Sequence, residues 1–168
     1  KIECMITRSG SDIDDDHVAY FVPRDHGVEL TAALKARGVR VRVLTNSLAS
    51  TDLAAVHSGY KKYRDDLLEN GVEMYELRPD SAMDRLRWSG LPSLKSRAGL
   101  HAKAMVVDRR CVVVGSYNLD PRSADINTEL ALLVDSPRFA EMVAEFFADG
   151  VKPENSYRVM LERGRLRW

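Results

Sequence analysis

The sequence lacks several features that mark specialised classes of protein. It has only two cysteines, Cys4 and Cys111, which provide neither a disulfide framework nor the spacing of a zinc site. Lysine plus arginine equals aspartate plus glutamate at 25 each, so the net charge at pH 7 is zero. A zero net charge gives no general attraction to nucleic acid or to an anionic membrane. Any such attraction must therefore come from local patches of charge.

Long apolar runs, internal repeats and low-complexity segments are also missing. No run reaches the roughly 18 residues that span a bilayer, and no signal peptide is recognisable. Residues 1–16 begin without methionine and end in an acidic run, so we expect them to form an irregular lead-in or an artificial edge of the chain. Because the two cysteines are isolated, we expect a reducing, cytoplasmic setting in which any membrane contact is peripheral.

The residues that are present are typical of one globular domain, which we place at residues 17–168. The chain has 168 residues, of which 45% are hydrophobic and 30% are charged, enough for a substantial core. Hydrophobic periodicity, glycine and proline predict strands at 17–23, 39–45, 72–77, 100–107, 111–114 and 128–134, helices at 28–37, 51–69 and from 137 onward, a long loop at 78–98, and a C-terminal hairpin at 157–168. Strands that alternate with helices indicate an α/β domain with a mixed sheet.

Two of the predicted helices carry side chains of interest. In the last helix, apolar residues recur at helical spacing and predict a face buried in the core: Phe139, Met142, Val143, Phe146 and Phe147. In the helix at 51–69, cations follow His57 and suit either a solvated face or contact with anionic headgroups: Lys61, Lys62 and Arg64.

The side chains that are candidates for catalysis are concentrated in residues 99–129. Two apolar strands with a turn at residues 108–110 predict a hairpin. Side chains two apart on a strand share a face, so His101 and Lys103 project together. Ser116 and Asn118 also project from one face together if the second strand continues as far as residue 118.

These four side chains form a group that suits a phosphodiester substrate. An imidazole can attack phosphorus, and a cation, a hydroxyl and an amide can hold its anionic oxygens. Strict alternation turns Asp108 to the opposite face, so we include it among the catalytic residues only in a structural or supporting role. The alternative is a buried hairpin that happens to carry a polar pair. Six fixed positions over eighteen residues favour the phosphodiester interpretation.

The spacing H-x-K-x4-D-x6-G-S-x-N resembles that of the phospholipase D superfamily. It is met by His101, Lys103, Asp108, Gly115, Ser116 and Asn118. Over residues 17–168 the amino-acid sequence is most similar to the second half of bacterial cardiolipin synthases of the phospholipase D type. The stretches that carry this likeness are Y-F-V-P, R-G-V-R-V-R-V-L-T-N-S-L, L-L-E-N-G-V-E-M-Y-E-L, N-L-D-P-R-S-A and N-T-E.

The resemblance implies a phospholipase D-like fold and a role for each residue of the pattern. Such enzymes use two such halves, each of which supplies one histidine. By this likeness His101 is a nucleophile or a general acid/base, and Lys103 and Asn118, with Ser116, hold the phosphate. Glu129 orients the imidazole, unless it is simply a solvated strand residue. The chemistry requires no cofactor and no metal.

This chain departs from the family in having only one half of the pattern. None of His17, His26 and His57 is followed by lysine two residues later, so none begins a second copy. We therefore expect the other half to come from the full-length chain or from a homodimer partner.

The leading functional prediction is a phosphatidyl transferase that works through a phosphohistidine. It would act on anionic phospholipid at the inner face of a bacterial membrane and make cardiolipin. Two alternatives stay open. One is a homodimeric phosphodiesterase that cleaves nucleic acid, and the other is a non-catalytic remnant that binds phosphate or lipid.

Overall fold

A computed structural model describes residues 12–18, 21–51, 54–81 and 99–168. One eight-stranded sheet has the spatial order β6-β5-β4-β1-β2-β3-β7-β8, with β1, β2 and β3 parallel and every other neighbouring pair antiparallel. The predicted α/β class with a mixed sheet is confirmed. In chain order the elements are β1 (Asp12–Val18), α1 (Arg24–Ala36), β2 (Arg40–Asn46), α2 (Ala54–Lys61), α3 (Arg64–Glu69), β3 (Glu73–Leu77), β4 (Lys103–Val107), β5 (Cys111–Gly115), α4 (Pro121–Asp125), β6 (Ala131–Asp135), α5 (Pro137–Gly150), β7 (Ser156–Glu162) and β8 (Arg165–Arg167).

Both faces of the sheet are covered. Successive strand residues point to opposite faces, and they belong to different core clusters. Val43 and Met105 belong to the larger core cluster, which includes residues of α1, α2 and α3. Their neighbours Leu44 and Val106 belong to two smaller clusters, each of which includes a residue of α5. Strands buried on both faces are typically nearly continuous apolar runs, as β4 is after Lys103, whereas β2 alternates valine with arginine at its start.

The first strand begins earlier than the sequence predicted. β1 covers Asp12–Val18, so the prediction of an irregular lead-in at 1–16 is wrong for residues 12–16, while residues 1–11 lie outside the described part. Aspartate is a poor strand former, but β1 is paired on both sides, with β2 and with β4. Backbone pairing in the middle of a sheet overrides this weak local preference.

The predicted long helix at 51–69 is divided into α2 and α3 by a turn at residues 62–63. Immediately after the turn, Arg64 is buried and forms an ion pair with the buried Glu76 on β3, with an N–O distance of 3.0 Å. Its guanidinium also lies over the rings of Tyr60 and Trp168. Arg64 is thus a core residue, and neither predicted role for it, on a solvated face or against headgroups, is correct.

Helix α5 begins as predicted but buries a narrower face. The Ser136 hydroxyl accepts a hydrogen bond from the Phe139 amide, and Pro137 occupies the first turn. The fully buried residues are Ala140, Ala144, Phe147 and Gly150. Met142 is 58% exposed and Phe146 is 37% exposed, so the prediction of five core residues is wrong for these two. Small residues let the helix lie close to the sheet, which leaves the flanking side chains in solvent.

The strands predicted at 100–107 and 128–134 begin only at Lys103 and Ala131, so the prediction that His101 lies within a strand is wrong. The helix ends and the C-terminal hairpin agree with the sequence. Gly38 and Gly71 follow α1 and α3 with φ of 76° and 78°, the left-handed conformation typical of a helix C-terminus. The C-terminal hairpin forms between β7 and β8. Most of the predicted loop at 78–98 lies outside the described residues, which exclude 82–98.

Candidate active site

The structure brings His101 and Lys103 together at one end of the sheet. Lys103 is the first residue of β4 and pairs with Val18, the last residue of β1. His101 precedes β4 and is exposed. Both residues therefore lie at the carboxyl end of the parallel strands, where open α/β sheets bind their ligands.

The lysine ammonium is held against the histidine. Nζ of Lys103 donates to the carbonyl oxygen of His101 at 2.9 Å and lies 3.2 Å from its Nδ1. The cation and the imidazole thus share one solvent-facing position. An imidazole beside a cation is an arrangement that can serve a phosphodiester, since the ring can attack and the cation can hold anionic oxygens.

Ser116 follows β5 and lies level with this pair. The register of the hairpin pairs Ala104 with Val114, which sets Ser116 at the level of Ala102, between His101 and Lys103. The Ser116 hydroxyl donates to the carboxylate of Glu129 and accepts from the Leu130 amide at 3.1 Å. These two bonds fix the hydroxyl beside Glu129. The bond from Ser116 lowers the pKa of the Glu129 carboxylate, which is also close enough to Lys103 for the charge of the lysine to lower it further.

Glu129 lies against Ser116 rather than against the imidazole. Besides the Ser116 hydroxyl, its carboxylate accepts hydrogen bonds from Ser123 Oγ at 2.8 Å and from Asn127 Nδ2 at 3.1 Å. The bonds from Ser116, Asn127 and Ser123 lower the pKa of Glu129 below its usual value of 4.5, and the charge of Lys103 adds to this effect. Glu129 is a carboxylate at neutral pH that organises the turn beside the site.

Asn118 is 8% exposed, and its Oδ1 has no hydrogen-bond partner among the described residues. Its backbone amide donates to Ser123 Oγ at 3.3 Å, which fixes the main chain. Buried polar atoms are nearly always hydrogen-bonded, so an unpartnered carboxamide oxygen two residues beyond Ser116 is a candidate functional group.

Asp108 lies apart from the other predicted residues. It is in the hairpin turn with a φ of 52°, beside Arg109 with a φ of 47°. At about 3.3 Å per residue, the length of β4 places it about 16 Å from Lys103. Aspartate tolerates this left-handed conformation better than most residues. Its position suits the structural role that alternation predicted and excludes contact with the same phosphate.

Two features of the site were missed from the sequence. Asn46, the last residue of β2, donates from Nδ2 to the carbonyl oxygen of Leu100 at 2.9 Å and accepts at Oδ1 from its amide at 2.8 Å. Helix α4 is capped by the Asp120 carboxylate, which accepts from the amides of Arg122 and Ser123. A signal for α4 was present, because Asp120 followed by Pro121 is a typical helix start. No local signal links residues 46 and 100.

Within the described ranges, no group of histidine, cysteine, aspartate and glutamate side chains could hold a metal ion. In the same part of the chain, each helix is too short or too polar to cross a bilayer.

Comparison with known proteins shows which family shares these features. Residues 4–150 match the family model described as "Cardiolipin synthase, PLD-like domain". The chain is 37% identical over 151 residues to cardiolipin synthase C of Escherichia coli, a match that covers 89% of this chain and 32% of that protein. It is 30% identical over 125 residues to cardiolipin synthase A of Serratia proteamaculans, covering 74% and 22%. The chain therefore spans a third or less of the length of these relatives.

Solved structures share the fold at lower identity. Nuc from Salmonella typhimurium, described as a phospholipase D family member, superposes with a TM-score of 0.65 at 21% identity, covering 94% of this chain and 88% of Nuc. NucT from Helicobacter pylori gives 0.64 at 14% identity, covering 92% and 86%. Phosphatidylserine synthase from Haemophilus influenzae gives 0.62 at 16% identity, covering 94% and 35%. With the site geometry and the family match, these findings show that the chain belongs to the phospholipase D-like family that includes the cardiolipin synthases.

Proposed function

We propose that this chain supplies one half of a phosphodiester-cleaving site in which His101 takes the phosphoryl group. The observation that carries the proposal is the exposed imidazole with the Lys103 ammonium 3.2 Å away, at the carboxyl end of the parallel strands. Imidazole suits the task because it can both attack and carry protons near neutral pH.

In the proposed reaction a ring nitrogen of His101 attacks phosphorus as the bond to the leaving alcohol breaks. A histidine of the other half protonates that alcohol, and a phosphohistidine remains. The second histidine then takes the proton of an incoming alcohol, whose oxygen displaces His101 from phosphorus. Lys103 releases the His101 carbonyl oxygen and places its charge on the phosphate oxygens, where negative charge develops.

The remaining predicted residues support this step. In the reaction the Ser116 hydroxyl turns its single proton from Glu129 to a phosphate oxygen, and the Asn118 carboxamide rotates to donate from its NH₂ group. The described hydrogen bonds of the Glu129 carboxylate come from Ser116, Ser123 and Asn127, so the role of orienting the imidazole stays a prediction. In the present arrangement its contribution is to fix Ser116.

For the substrate we propose a phospholipid, with transfer of a phosphatidyl group to a second lipid alcohol to give cardiolipin. The support is the 37% identity to cardiolipin synthase C and the matching family description. Because the chain spans 32% of that relative, the other half of the site comes from the rest of a longer chain or from a second copy. Peripheral association with the inner face of a bacterial membrane follows from this choice of substrate.

A second candidate is a homodimeric phosphodiesterase that acts on nucleic acid. It is favoured by length, because the chain covers 88% of Nuc and 86% of NucT, so family members with a chain of this size exist. It is disfavoured by the zero net charge, since phosphate-backbone binding depends on excess cationic residues. A third candidate, a phosphate- or lipid-binding remnant, keeps the binding residues and lacks turnover.

Parallel incubations with phosphatidylglycerol vesicles and with DNA separate these candidates. We expect lipid turnover that is lost in His101→Ala and kept in His26→Ala, which removes an exposed histidine from α1 as a control. Cleavage of DNA without turnover of lipid would favour the homodimeric phosphodiesterase that acts on nucleic acid. Phosphate binding that persists in His101→Ala, without turnover of either substrate by the wild type even when the other half of the site is supplied, would identify a binding remnant.

A further inference from the structure

The backbone at His101 lies beyond the end of the sheet. Among the described residues, the pairing of β4 with β1 ends at Lys103, opposite Val18, and β4 itself begins at Lys103. His101 is therefore two residues outside the last ladder pair. A catalytic side chain needs a fixed backbone, because small displacements of a reacting group are costly. Some other contact must hold this segment.

The carboxamide of Asn46 provides that contact. It is 5% exposed and meets Leu100, which is 8% exposed, with one donated bond of 2.9 Å and one accepted bond of 2.8 Å. An amide side chain that pairs with both backbone groups of one residue reproduces the exchange of bonds in a sheet ladder. Asn46 thus anchors the backbone at Leu100, immediately before His101, in the manner of a ladder pair.

The orientation of this carboxamide is itself fixed. Asn46 ends β2 and pairs with Leu77 of β3, so its backbone belongs to the centre of the sheet. The Ser50 hydroxyl lies 3.3 Å from Oδ1 of Asn46 and 3.1 Å from the Ser47 hydroxyl. A buried group of polar side chains therefore fixes which end of the amide faces the Leu100 amide and which faces its carbonyl.

We propose that Asn46 is a positioning residue for His101, a role that rests on the proposed function of His101 in catalysis. It acts through Leu100 and does not touch the phosphate. Before the phosphate binds, Lys103 adds a bond to the His101 carbonyl oxygen. Once Lys103 turns to the phosphate, the bonds of Asn46 to Leu100 still hold the backbone next to the imidazole. Only a side chain with both a donor and an acceptor can satisfy both backbone groups of Leu100.

Two substitutions test this role. Asn46→Leu keeps the size of the side chain and removes both hydrogen bonds, whereas Asn46→Asp keeps an acceptor for the Leu100 amide and loses the donor for its carbonyl. Asn70→Leu is the matched control, because the Asn70 carboxamide also bridges two segments, donating to the Val28 carbonyl at 2.9 Å and to Thr31 Oγ at 3.0 Å.

Turnover of bis(p-nitrophenyl) phosphate gives the first readout. Because a misplacement of 1 Å costs on the order of 10²-fold in rate, we expect Asn46→Leu to lower kcat by about that factor with KM near the wild-type value. Asn70→Leu should leave kcat near wild type even where its melting temperature falls as far. Equal effects of the two substitutions on kcat would overturn the proposal.

Nuclear magnetic resonance of the histidine rings gives a second readout that needs no turnover. We expect the His101 ring signals to move or broaden in Asn46→Leu and to stay in place in Asn70→Leu. Unchanged His101 signals in Asn46→Leu would overturn the positioning role, whether or not the wild type cleaves phosphodiesters. If Asn46→Leu does not fold, Asn46→Asp is judged by the same two readouts.

Discussion

The Lys103 ammonium donates a hydrogen bond to the carbonyl oxygen of His101. This bond places the ammonium beside the imidazole of the same residue. A side chain that is anchored this way yet half-exposed has little to contribute to the core. Its charge is instead available to a phosphate that arrives at His101. The distinction between a catalytic and a structural lysine can be tested directly.

We predict that Lys103→Ala lowers turnover by about 10² to 10³-fold, the usual loss when one donor to developing negative charge is removed. The melting temperature should stay close to that of the wild type. Lys35→Ala is the control, because Lys35 also donates to a backbone carbonyl, that of Glu69 at 2.7 Å, and lies on α1. Measurements of turnover and of melting temperature on the same variants distinguish a catalytic from a structural role for Lys103. A large fall in melting temperature with normal turnover in the folded fraction would assign Lys103 a structural role.

The three donors around Glu129 predict a pH dependence of stability. Because they lower the pKa of Glu129 below 4.5, they favour folding when the carboxylate is charged. This contribution is fully present above the pKa that Glu129 has in the unfolded chain. It is lost as the pH falls through the lower pKa that Glu129 has in the folded protein. We therefore expect Glu129→Gln to have a lower melting temperature than the wild type at pH 7, and the difference to shrink below pH 4.5. Glu145→Gln, at an exposed position of α5, should show no such trend. A difference that is independent of pH would contradict this account.

At the scale of elements, the close approach of β5 and β6 explains the glycine of the sequence pattern. A Cβ atom built on Gly115 would lie 2.0 Å from the carbonyl oxygen of Leu130 and 2.8 Å from the Cα of Ala131. These are backbone atoms of the paired strand, which cannot move aside without breaking the ladder. The glycine is therefore required by the packing of the strand that carries Ser116.

We predict that Gly115→Ala destabilises the fold by about 3 kcal/mol or more, at or above the upper end of the usual cost of overpacking. Gly99→Ala is the matched control near the same site, since a Cβ there meets only an ordinary contact, 3.5 Å from the Ser50 carbonyl oxygen. Denaturant unfolding of the three proteins provides the comparison. Equal stabilities for both variants would show that β5 and β6 are not so closely packed.

Elements with a strong local signal could be predicted from the sequence. The hairpin that begins at Lys103, two residues after His101, follows from two apolar runs and a turn, and the start of α5 follows from Ser136 and Pro137. Features that depend on distant contacts could not. The bonds from Asn46 to Leu100 join residues 54 apart, and the break before Arg64 reflects a buried ion pair with Glu76. Helical periodicity also overestimated the buried face of α5, because it does not show how far the sheet extends beneath the helix.

At the scale of the whole molecule, the chain contains one copy of the pattern and spans 32% of the length of cardiolipin synthase C of Escherichia coli. In-line displacement places the nucleophile and the leaving group on opposite sides of phosphorus. One imidazole cannot serve both sides at once. We therefore propose that a second half completes the site, and a closed twofold pair is the commonest way for identical subunits to provide one.

We predict that a monomeric sample of this chain binds phosphate but turns over about 10² to 10⁴-fold more slowly than a sample supplied with the other half, the usual cost of removing a general acid. Light scattering gives the oligomeric state, and a phosphodiesterase assay on the same fractions gives the rate. Full turnover from a strictly monomeric fraction would show that two histidines are not needed.

The most direct test of the central claim is to trap the phosphoryl group on the protein. The chain is mixed with a labelled phosphodiester, quenched during turnover at alkaline pH, at which phosphohistidine survives, and mapped by mass spectrometry. We predict a phosphoryl adduct on the peptide that contains His101, present in His26→Ala and absent in His101→Ala. Turnover that proceeds without any histidine adduct, or that persists undiminished in His101→Ala, would contradict the account.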